Sequence, residues 1–349
     1  MKRKIAVPFI YFALTVCILA LIVGASSVGA AGIGVFRSLR ILFSRLPLLG
    51  NLADQSDFRP SDLTIVLMIR LPRILLAGFA GCGLSMSGAV LQGVLRNPLA
   101  DPQVLGISSG AAFGAAIAIA FGFSVTAWGI GGIASFALIG ALLTILVVWR
   151  ISFIGGKESV VGILLAGISV SSLLTSAITL IMVMRREQLE KVYMWMLGSF
   201  SSATYPKTFF LGVITLVSLL FILPSCFSLD VLATGDDSAE SLGIDARRLR
   251  RRMIVLSSLC VAACVSVSGI IGFVGLIVPH IVRLMAGSRN RRLIPMSCLA
   301  GAIFMILCDT VARTLAAPAE IPVGAITAVI GAPFFLFLLA RTRGRGVRV

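Results

Sequence analysis

GAVLQGVLRNPLADPQVLGISSGA, residues Gly88 to Ala111, is apolar at both ends and carries two prolines, an arginine and an aspartate in its middle. The flanks run on, from Leu71 to Gly93 before the break and from Gln103 to Phe123 after it. Each is close to the roughly 20 apolar residues that cross a hydrocarbon layer about 30 Å thick. Lipid satisfies no backbone polar group, so continuous apolar runs of this length are helices and the chain between them has to turn. Pro98 and Pro102 lack a backbone donor and bias the preceding residue away from helix, Asn97 and Asp101 favour turns, and Asp101 is placed to cap the next helix. The stretch therefore predicts two membrane helices joined by a sharp reversal. Past it, Gly106 to Ala116 offers a face of small residues, suited to close helix packing or to lining a path.

The rest of the chain extends that reading. Of 349 residues 58% are hydrophobic and 13% charged, with a mean hydropathy of +1.06, which a soluble fold of this length could not tolerate on its surface. Ten spans are expected: Ile5–Val28, Leu71–Gly93, Gln103–Phe123, Ala127–Trp149, Val160–Met184, Thr208–Phe227, Met253–Gly272, Phe273–Ala286, Pro295–Leu315 and Val323–Ala340. An even number puts both ends on one side. Cytoplasmic ends leave the excess of Lys and Arg inside, although Arg37, Arg40, Arg45 and Arg59 fall in the first outer loop. The net charge of +16 is accordingly a topology signal and not a sign of nucleic-acid binding. The apolar run behind MKRK is too long for a cleaved signal, so a retained first span is expected. Residues 1–349 are predicted to form a single, all-α transmembrane domain.

Two polar segments stand out. LDVLATGDDSAESLGIDARRLRRRM, Leu229 to Met253, is the longest polar stretch on the inner side, and Ser238–Leu242 and Asp245–Leu249 read as two short helices broken by Gly243. It is either a solvated loop or a docking surface for a cytoplasmic partner. On the outer side, Arg185 to Lys207 holds Tyr193 and Trp195 among apolar residues and suits a helix lying at the headgroups.

Catalytic chemistry finds no support. FIGGKES, Phe153 to Ser159, lacks the earlier glycine of a phosphate-binding loop, so the chain is not expected to hydrolyse ATP. His280 is the sole histidine, which excludes a histidine-cluster metal site, and the seven cysteines show no CxxC spacing and read as buried thiols. Asp309 is an acid within a span, and Arg313 lies one turn on, where an ion pair is geometrically available. Arg70 and Arg73 in RLPR, with Arg313, fall at the outward face, where they either snorkel or clamp carboxylates of a partner.

RLPR (Arg70–Arg73), the opening stretch, LAGI (Leu165–Ile168), WMLGSF (Trp195–Phe200), GIIGFVGLIVPHIVRLMAG (Gly269–Gly287) and IPVGAITAVIGAPFF (Ile321–Phe335) occur in order across nearly the whole chain. Together they resemble the permease subunits of ABC importers for ferric siderophores, haem and cobalamin. The resemblance implies a type II ABC importer permease of about ten helices in the bacterial inner membrane. It also implies a homodimer, two cytoplasmic ATPase subunits that use ATP-Mg, and a binding protein delivering cargo outside; this chain binds no cofactor or metal itself. It further implies that Asn97, Pro98 and Leu99 form a cytoplasmic gate, with Ser159, Val160 and Val161 as a second constriction. The 229–252 loop becomes an ATPase-coupling loop, with Gly235, Asp236, Ser238, Ala239, Leu242, Gly243, Ile244 and Arg247 as its contacts. Arg70, Arg73 and Arg313 would pair with acids of the binding protein. The expected cargo is an iron complex, ferric siderophore or haem, with cobalamin as the alternative. A secondary transporter would require several intramembrane acids where this chain offers Asp309.

Overall fold

A computed structural model describes residues 7–29, 31–44, 58–123, 129–152 and 160–343. The chain begins with α1 (Val7–Ser27) and the short α2 (Val35–Phe43). Next, α3 (Pro60–Leu63) runs through a π-helical stretch (Thr64–Arg70) into α4 (Leu71–Val94). After a 3-10 turn at Pro102–Leu105 come α5 (Ile107–Phe121), α6 (Gly132–Ser152), α7 (Val160–Met184), α8 (Leu189–Met196) and α9 (Tyr205–Ile222). The remainder is α10 (Cys226–Leu232), α11 (Asp236–Ser241), α12 (Ala246–Ser268), α13 (Val274–Ala286), α14 (Asn290–Ala312) and α15 (Val323–Arg343).

Seven of these helical runs are long and apolar enough to cross a bilayer: Val7–Ser27, Pro60–Val94, Gly132–Ser152, Val161–Met184, Tyr205–Leu232, Ala246–Ser268 and Asn290–Ala312. Three shorter apolar helices, Ile107–Phe121, Val274–Ala286 and Val323–Phe337, occupy the places of the other expected spans. The boundaries shift for local reasons. α5 starts at Ile107 and not at Gln103, because Gly106 takes a left-handed φ of 79° after the 3-10 turn. The second short helix expected at Asp245–Leu249 is instead the first turn of α12, whose N-terminus Asp245 caps by accepting from the Arg248 N–H. α12 stops at Ser268, where Gly269 has φ 71°.

α4 is the axis of the bundle and packs against α14, α12, α13 and α9. In lipid the hydrophobic effect does not drive helices together, so contact depends on close van der Waals approach and on polar ties. Gly81 and Gly301 supply the approach: a Cβ on either would fall inside the radius of the other's carbonyl oxygen. Ser85 supplies the tie, its Oγ donating to the carbonyls of Gly81 and Ser297, both at 2.6 Å.

The bundle has two ends. One carries the 95–106 turn together with α10 and α11, and is called the α11 end. The other carries α8, the N-terminus of α4 and the C-terminus of α14, and is called the α8 end.

Candidate functional site

At the α11 end the predicted reversal is present. α4 closes with the paired bonds of a Schellman motif, Arg96 N–H to Gly93 O at 3.3 Å and Asn97 N–H to Gln92 O at 3.1 Å. Glycine usually fills the left-handed position of this motif; here it is Arg96, with φ 49°. A side chain in that conformation costs about 1–2 kcal/mol, so its partners have to offset it. Asn97 then shapes the turn twice, its Oδ1 accepting the Leu99 N–H at 2.9 Å and its carbonyl the Ala100 N–H at 3.0 Å. Asp101 accepts the Gln103 N–H at 2.9 Å; burial pushes its carboxyl up, and that bond opposes the shift. Asn97, Pro98 and Leu99 thus stand on a tight, exposed turn. Of the second expected constriction, Ser159 lies outside the described residues, Val160 opens α7, and Val161 is exposed one residue on.

The segment expected to meet an ATPase is divided between a seated face and an open one. Ala239 is fully buried with Ala246, while Leu242 is 65% exposed and Arg247 is exposed beside it. Gly243, at φ 76°, and the Ile244 N–H bonded to Ala239 O at 2.9 Å close α11 and turn the chain into α12. Glu240, Gly243, Ile244, Asp245 and Arg247 line an open groove at this corner. Gly235 and Asp236 form the start of α11, and Ser238 Oγ lies on the same turn. Beside this segment a cavity of about 940 Å³ is lined by Gln92, Arg96, Phe227, Arg283, Arg289 and Arg291. Arg283 donates to Gln92 Oε1 at 3.0 Å and Gln92 Nε2 to Gly275 O at 3.1 Å, tying α4 to α13.

At the α8 end the structure adds to two expectations. Arg70, Arg73 and Arg313 are not displayed at the rim; they are 5%, 8% and 9% exposed, and this chain's own acceptors hold them. Arg70 donates to Ser26 O and Ala31 O, both at 2.6 Å, and Arg313 donates to Ala25 O, so the two fasten the C-terminal end of α1. Arg73 forks onto Asp309 with bonds of 2.9, 3.0 and 3.1 Å and reaches Glu320 at 2.8 Å. Asp309 therefore has Arg73 as its close partner, with Arg313 at 4.0 Å. The expected i,i+4 ion pair is present, with Arg313 Nε at that distance from Asp309 Oδ2, while Nη2 of the same side chain reaches α1.

Two features went unnoticed in the sequence. A cavity of about 800 Å³ at the α8 end is lined by Phe123, Lys191, Trp195, Ser199, Lys207 and Glu320, residues drawn from segments far apart in the chain. The second lies on α7, where Ser169, Ser172, Ser176 and Thr179 are exposed along one face at steps of three and four. The period was legible there, but which face would be left uncovered was not.

The molecule is thus a helical membrane bundle with a braced turn and a projecting corner at one end and a buried ion cluster at the other. The FecCD transport family matches residues 13–341, and the chain belongs to it. It is a multi-pass ABC transport permease of the bacterial cytoplasmic membrane. Over 291 residues it is 40% identical to the hemin transport system permease protein HmuU of Yersinia pestis, covering 80% of this chain and 84% of that one. Over 342 residues it is 34% identical to the molybdate import system permease protein MolB of Haemophilus influenzae, covering 97% and 98%. A metal-chelate type ABC transporter solved in an inward-facing conformation superposes with a TM-score of 0.82 at 34% identity, over 96% of this chain and 99% of that one.

Proposed function

We propose that this chain is the membrane subunit of an ATP-driven, binding-protein-dependent importer. In this reading two copies enclose the path and carry an iron complex, haem or a ferric siderophore. The observation that carries the proposal is the α11 corner, seated through Ala239 and Ala246 and open through Leu242 and Arg247. A linker between spans needs no such seating, whereas a helix that fits an ATPase does. The exposed hydroxyls of α7 support the second copy: Ser176 and Thr179 bond to carbonyls of their own helix, and between two chains the face they form lines a polar path.

In the same reading the three shorter apolar helices complete ten crossings, the α11 end is cytoplasmic, and both chain ends lie on that side. Partner subunits use ATP-Mg, since no phosphate-cradling loop is present in this sequence. The binding protein seats on the α8 end over the cavity there. Arg70, Arg73 and Arg313 keep that surface in shape from beneath. ATP binding by the partners biases the paired subunits between two arrangements, and the Asn97–Leu99 turn opens or closes the inner side.

The test is uptake into proteoliposomes holding the permease, its ATPase and its binding protein, with labelled haem, ferric siderophore, cobalamin and molybdate offered separately. ATP-dependent uptake of haem or siderophore is expected. Uptake that follows a proton gradient without ATP refutes the importer, and ATP-dependent uptake of cobalamin or molybdate alone refutes the cargo.

A further inference from the structure

We infer that Arg96 is the residue through which α11 moves the Asn97–Leu99 turn, a positioning role that rests on the gate and ATPase-coupling reading above. Its guanidinium spans a joint. Nε donates to Leu232 O at 2.9 Å, the last carbonyl of α10, and Nη2 pairs with the carboxylate of Asp236, the first residue of α11. Between these two contacts lie Ala233, Thr234 and Gly235, the last at φ 148°, where the chain can bend. Any rotation of α11 against α10 about this link must drag Arg96 or break one of its bonds.

Arg250 fixes the far side of the joint. From α12 its Nη2 donates to both Asp236 oxygens, at 2.9 and 3.2 Å. Asp236 is thus shared by two guanidiniums, one from the core helix α12 and one from the turn, so a displacement of α11 changes the balance between them. On the other side Arg96 is covalently next to Asn97, whose two hydrogen bonds make the turn to Ala100 a stiff unit. A pull on Arg96 therefore reaches Leu99, which is 46% exposed at the tip.

The backbone argues against a merely structural arginine. A helix stop at this position is served best by glycine, and Arg96 occupies the left-handed conformation that glycine adopts freely. A residue chosen only to end α4 would be glycine; the side chain is kept for what it holds.

The decisive variant is Arg96→Gly in the complete complex, because it relaxes the backbone while removing the strut. Yield and co-purified ATPase are expected to match the unaltered complex, while cargo delivered per ATP hydrolysed falls at least tenfold. Arg96→Lys is expected to restore part of that ratio, since an ammonium reaches Asp236 but lacks the fork that also holds Leu232 O. An unchanged ratio in Arg96→Gly overturns the inference. If Arg96→Gly is not recovered folded, Arg96→Gln is read by the same ratio, and loss of the ATPase from either variant also overturns it, because Arg96 would then be seating α11 and not transmitting from it. Failure of the importer reading is separate: there the unaltered complex itself shows no ATP-dependent uptake.

Discussion

Asp309→Ala is expected to destabilise the permease by about 3–5 kcal/mol, the usual consequence of removing one partner of a buried ion pair and leaving the other uncompensated. Asp309 is 1% exposed and is the main acceptor for Arg73, with Arg313 near it. Glu320 remains as a partner for Arg73 but is itself 43% exposed at the side chain, so water screens what it can offer. Glu320→Gln should consequently cost less than about 1 kcal/mol. Thermal unfolding in detergent reads both, and equal midpoints for the two variants would contradict the assignment of Asp309 as the centre of the cluster. The combined change Arg73→Met with Asp309→Leu should recover part of the loss, since it removes the Arg73 charge with its partner while Arg313 still loses the Asp309 carboxylate beside it.

Gly301→Val carries the second large effect. The added side chain would enter the space of the Gly81 carbonyl and the Ser85 hydroxyl, and neither is the yielding tip of a long side chain. α14 has to move away from α4, the contact on which the bundle is centred, and the Ser85 bond to Ser297 O lengthens with it. Overpacking a tight site costs about 1–3 kcal/mol where neighbours can yield; here, with backbone in the way, the upper end or beyond is expected. Gly93→Ala is the control: nothing lies within 4 Å of its Cβ position, and in the last turn of α4 it should be neutral or stabilising by up to about 1 kcal/mol. Recovery of folded protein after detergent extraction separates the two, and a Gly301→Val protein as stable as Gly93→Ala would mean the helices are not in contact there.

How much could be read from the sequence depends on the range of the interactions involved. The reversal at Asn97–Pro102 was legible because prolines and Asx residues act on their own neighbours, and the apolar runs were legible because lipid imposes a length. The Asp245 cap was visible for the same local reason, although α12 takes it over instead of a separate helix. Arg73 and Asp309 are 236 residues apart, and nothing local says that they meet; the pairing of Asp309 with Arg313 is local and was legible from the i,i+4 spacing. The positions of Arg70, Arg73 and Arg313 along the chain were legible but not their depth, because a guanidinium near a helix end reads the same whether it points to solvent or to a neighbouring carbonyl. Part of the 235–247 segment faces inward for a similar reason: Ala239 and Leu242 lie on one short helix turn, and the sequence does not say which side of it the body covers. The left-handed φ of Arg96 was not legible, because it is a property of the closed turn and not of the residue type.

The distance in sequence between Arg73 and Asp309 also sets an order of events at birth. At about 5–20 residues per second, the ribosome delivers the aspartate some 12–47 s after the arginine. Throughout that interval α4 carries a cation whose counter-charge has not been made. The helix has to be sheltered at the insertion machinery, or held near the headgroups, until α14 arrives. A chain cut short before Asp309 would keep that lone charge indefinitely, so a surveillance protease that recognises it could tell a finished permease from an unfinished one.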